Sequence, residues 1–168
     1  MFVFCSWDDA NPDAEPDIRG KDYEVLINLC FRYCRYFSLS KNRPGAHIDF
    51  SEEPLKEVPI HPGEENKQYF FCSDDARSFL LQKESSVFSW MTWGEILPGT
   101  EVLPEDLCFY REDGSVFFWS ATHEGVCALC PKPGEDVSGL LSLGGWFEPD
   151  INGVYGVPFN LAERSIFL

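Results

Sequence analysis

The chain has 168 residues, with 13 Lys and Arg against 28 Asp and Glu, and a formal net charge of −15 at pH 7. An acidic chain poor in aromatics would be a solvated tail, but 5 Trp, 6 Tyr and 15 Phe among 44% hydrophobic residues supply enough apolar surface to fold and to hold that charge on a rigid body. Acidic lipid headgroups and nucleic-acid phosphates repel such a surface, so neither a membrane nor direct nucleic acid is expected as a partner.

One domain covering 1–168 is expected, burying roughly 70% of the surface the unfolded chain exposes. The apolar start Met1 to Cys5 has no basic region and acids follow at once, which does not fit a secretory signal. No window approaches about 18 consecutive apolar residues, and the location expected is cytoplasmic. Acids gather in 1–20, 51–75 and 101–135, whereas 21–50 is net basic. Screening beyond about 8 Å makes such grouping matter more to a partner than the total charge does.

In chain order, Asp8 to Asp17, with Pro12, Pro16 and then Gly20, predicts an irregular acidic loop. Tyr23, Leu26, Ile27, Cys30, Phe31, Cys34 and Phe37 recur at three- and four-residue steps, which predicts a helix over about 22–37, capped by Asp22, with one face in a core. Ala46 to Phe50 and Gln68 to Cys72 read as strands joined by a loop rich in Pro and Glu. Ser73-Asp74-Asp75 can cap a second helix through about Glu84, although Ser78 to Leu81 is short enough to be a strand. Thr92 to Leu97 has the spacing of a capping box and reads as one helical turn.

The strongest strand signal lies over 107–130. Asp113-Gly114 separates two β-rich runs and predicts a two-residue hairpin turn. Pairing Glu112 with Ser115 places Cys108, Tyr110, Phe117 and Trp119 on one face and Leu107, Phe109, Val116 and Phe118 on the other. Both faces are then apolar and need cover. Thr122 to Gly125 turns the chain into a third strand, Val126 to Cys130, completing a meander. Beyond Pro133 the Gly-rich sequence favours short strands or packed loops, and Leu161 to Leu168 fits either a helix turn or an edge strand. The fold class expected is α+β: a mainly antiparallel sheet packed as a single pair of layers against the N-terminal helix.

Cys5, Cys30, Cys34, Cys72, Cys108, Cys127 and Cys130 lie among apolar neighbours, as reduced core thiols do. Cys127-x-x-Cys130 with the Cys30/Cys34 helical pair could supply four thiolates to zinc, but a strand-like Val126 to Cys130 points the two thiols to opposite faces, so no metal and no cofactor is expected. Cys127 with His123 is the alternative catalytic pair, of a small cysteine- or metal-dependent hydrolase. A polar turn accounts for the Thr122 to Gly125 residues without catalysis, and no catalytic residue is assigned.

Aromatics beside carboxylates remain as binding candidates: Trp7 with Asp8 and Asp9, Trp93 with Glu95, and Trp146 with Glu148 and Asp150. Interface centres are rich in Trp, and acids at a rim steer a basic partner. The reading is a non-enzymatic binding module for a basic protein surface. In size, acidity and aromatic content the chain resembles bacterial immunity proteins, which neutralise toxins by covering basic active sites; the likeness is one of composition and transfers no residue. A second version of the same reading is a carboxylate surface that imitates nucleic-acid phosphates.

Overall fold

A computed structural model describes residues 1–6, 16–41, 50, 53–59, 66–89 and 104–149. Six strands form one antiparallel sheet: β1 (Phe2–Cys5), β2 (Tyr36–Lys41), β3 (Lys67–Phe71), β4 (Pro104–Tyr110), β5 (Val116–Ala121) and β6 (Val126–Leu129), in the order β1-β6-β5-β4-β2-β3. Three helices, α1 (Lys21–Tyr33), α2 (Asp74–Lys83) and the short α3 (Ser138–Leu141), complete an α+β architecture with an antiparallel sheet. No helix among the described residues is long and apolar enough to cross a membrane.

The register explains the core. Phe70, Phe37, Phe109, Phe118 and Leu129 are directly opposite one another on β3, β2, β4, β5 and β6, a cross-strand row in which all five are at most 1% exposed. Ring centroids lie 5.2 Å apart for Phe37–Phe70, 5.8 Å for Phe37–Phe109 and 6.4 Å for Phe109–Phe118. Burying each such ring stabilises the fold by roughly 1.5–3 kcal/mol, with about 0.5–1.5 kcal/mol more per favourable ring pair. α1 lays Tyr23, Leu26, Ile27, Leu29 and Cys30 into the same cluster. Phe31, at the end of α1, meets Phe37 at 6.3 Å and Phe109 at 5.7 Å.

The other face carries a second cluster of Tyr69, Cys108 and Tyr110, flanked by half-buried Tyr36, Val58, Val116 and Trp119. Ser38 Oγ and the Tyr110 hydroxyl share a buried hydrogen bond of 3.1 Å. Both outer strands are bonded on their free sides. Phe147 exchanges backbone bonds of 2.8 and 3.0 Å with Val3, and Val58 N–H donates to Tyr69 O while Phe71 N–H donates to Lys56 O. Pairing of this kind blunts an edge that would otherwise template association.

Several sequence expectations need correction. The helix is not N-terminal, because β1 precedes it; it starts after Gly20, not at an Asp22 cap, and it ends at Tyr33 instead of Phe37. Cys34 is already extended (φ −111°, ψ 150°), Arg35 N–H donates to Tyr110 O and Cys72 N–H donates to Arg35 O, so pairing into the sheet overrides helical periodicity. Of the strand expected over 46–50 only Phe50 is described, and it is in no strand; the 92–97 turn and 161–168 lie outside the described residues. The second helix forms as expected, with Ser73 Oγ accepting from Ala76 N–H at 3.1 Å and Asp74 and Asp75 in the first turn.

The hairpin is where expected, but its turn is one residue longer. Gly114 N–H donates to Arg111 O, Arg111 N–H donates to Ser115 O, and only Gly114 of the loop has positive φ (77°). This is the three-residue loop ending in a left-handed glycine, and it pairs Arg111, in place of Glu112, with Ser115. Tyr110 then faces Val116, and a bulge between Phe109 and Tyr110 restores the Phe109–Phe118 pair. As a result Phe117 enters the main core and Val116 joins Cys108, Tyr110 and Trp119 on the other face, the reverse of the predicted placement.

Candidate functional site

The end of the sheet where β5 passes into β6 carries a cleft of about 550 Å³. Its first wall is the chain from Pro16 to Arg19, of which Pro16 and Asp17 end the stretch expected as an irregular loop. Gly20 N–H donates to Ser85 O at 2.8 Å and Val87 N–H donates to Ile18 O at 3.1 Å, so this stretch is laid against 85–87 as a two-stranded ribbon. Ile18 is 3% exposed and anchors it in the core. Because successive side chains of extended chain point to opposite sides, burying Ile18 sends Asp17 and Arg19 to the cleft.

The second wall is Ser86 to Ser89. Ser86 Oγ accepts from Ser89 N–H at 3.1 Å, Ser89 Oγ donates to Ser86 O at 2.8 Å, and Val87 between them is fully buried. These short serine bonds fix a compact turn without help from a regular element. Ser6, at the end of β1, closes the floor by donating its N–H to Gly125 O at 2.7 Å.

The rim is a 3-10 turn, Thr122–Glu124, closed by Gly125 in the left-handed region (φ 60°). One device holds it. Asp106 Oδ1 accepts from both Thr122 N–H (2.7 Å) and Thr122 Oγ1 (2.8 Å), and Asp106 N–H donates back to Thr122 Oγ1 at 3.2 Å. Asp106 has φ +42°, the single positive-φ residue other than glycine among those described. Such a backbone persists only where surrounding bonds over-determine it, and here they present His123 and Glu124, 3.4 Å apart, at the mouth of the cleft.

Among the described residues Asp17 Oδ1, which has almost no accessible surface, accepts no hydrogen bond, and Arg19 is exposed to solvent with no side-chain hydrogen bond or ion pair.

The residues singled out from sequence fall in different places. Trp7, Asp8, Asp9, Trp93, Glu95 and Asp150 lie outside the described residues. Trp146 is half-buried with its ring edge-on to Phe4 at 5.6 Å, while Glu148 is exposed one residue beyond Phe147. His123 is exposed on the rim, whereas Cys127, opposite Phe4 on β6, is fully buried. Burial pushes the Cys127 thiol well above the usual range, helped by the nearby Cys5 and Asp17. Cys34 is pushed up in the same way and Cys72 to about 12, both chiefly by desolvation. Cys30, Cys34, Cys72, Cys108, Cys127 and Cys130 are in no disulfide, and no group of three or more His, Cys, Asp or Glu is arranged for a metal among the described residues.

Sequence reasoning missed Asp17, Arg19, Ser86 and Asp106. The one local signal was the polar-apolar-polar alternation Asp17-Ile18-Arg19 between Pro16 and Gly20. No protein-family model matches this chain, and no curated protein or solved structure is significantly similar to it.

Proposed function

We propose that this chain is a non-enzymatic binding protein whose carboxylates recognise a basic protein surface, either to neutralise a toxin by covering its basic active site or to stand in for nucleic-acid phosphates. The observation that carries this reading is the placement of the acids. Glu24, Asp75, Glu112, Asp136 and Glu148 are exposed and outside every ion pair among the described residues, over a core of fully buried rings. Carboxylates already solvated and held on a rigid body cost little to reorganise when a cation approaches, and they raise the association rate. The thiols offer a nucleophile little help, since burial favours the neutral form at Cys30, Cys34, Cys72, Cys108 and Cys127.

Affinity capture from native lysate, with the chain immobilised, tests the proposal. A discrete basic protein is expected to be retained and to be released progressively as salt rises. Capture that is indifferent to salt, or no capture, contradicts it.

A further inference from the structure

We draw no further inference here: the strongest candidate, the half-buried patch of Tyr36, Val58, Val116 and Trp119 around Tyr110 on the second face of the sheet, is an apolar surface for which nothing among the described residues shows what covers it.

Discussion

At the hairpin end of β5 and β6, Arg111 is 7% exposed and every one of its five donors is met: Nε and Nη2 grip Glu135 at 2.7 and 2.6 Å, Nη1 reaches Ser115 Oγ and Val116 O, and Nη2 also reaches Cys130 O. Its Cζ lies over the Phe117 ring, 5.1 Å from the centre. At the opposite end of the same two strands, Asp17 has a buried oxygen with no bond and Arg19 no partner among the described residues. Both ends contain an arginine and a carboxylate, yet one is closed on itself and the other is open. The difference teaches where stability resides, because a satisfied buried network holds a fold together while an exposed arginine is met by water and adds little.

The largest expected effect comes from opening the closed end. Arg111→Ala should lose about 3–5 kcal/mol in urea unfolding, since it leaves Glu135 a nearly buried charge without its partner. Replacing both residues together, as Arg111→Met with Glu135→Leu, should cost far less, and an equal loss would mean that the ion pair is not what closes this end. The same pair sets an acid sensitivity. The Arg111 bonds hold the Glu135 carboxyl below the ordinary range, so its contribution is present above the unfolded carboxylate value of about 4.3 and is lost as pH falls through the depressed folded value. Glu135→Gln should flatten that part of the pH–stability curve.

A smaller effect is expected at the rim of the open end. Asp106→Ala removes the acceptor that Thr122 uses twice and leaves a non-glycine residue in a left-handed backbone. A loss of roughly 1–3 kcal/mol should follow, with shifts in the His123 and Glu124 resonances. Shifts confined to residue 106 would show that the rim is held by something other than this bond pair.

What could be read beforehand follows the same division between local and remote causes. α2 was legible because its cap and its acidic first turn are adjacent in sequence, and the hairpin was legible because Asp113-Gly114 marks it. Its register was not, because whether two or three residues turn the chain depends on Arg111 pairing with Ser115, and that choice is tied to Arg111 reaching Cys130 and Glu135 across the next strand. β2 was hidden because Cys34 and Phe37 continue the helical spacing, while the alternation Phe37-Ser38-Leu39-Ser40 beneath it shows its meaning only beside β3 and β4. The cleft was the least legible part. Ile18 meets Val87 and Asp106 meets Thr122 across gaps in sequence that no local pattern spans.

The most direct measurement is the unfolding free energy of Asp17→Ala beside that of the unchanged chain. Because the buried Asp17 oxygen has no bond among the described residues, deleting it should leave stability unchanged or raise it by up to about 1 kcal/mol, in contrast to Arg111→Ala. A loss comparable to that of Arg111→Ala would show that Asp17 is a structural residue with a partner inside the fold, and the distinction between a closed and an open end would fail.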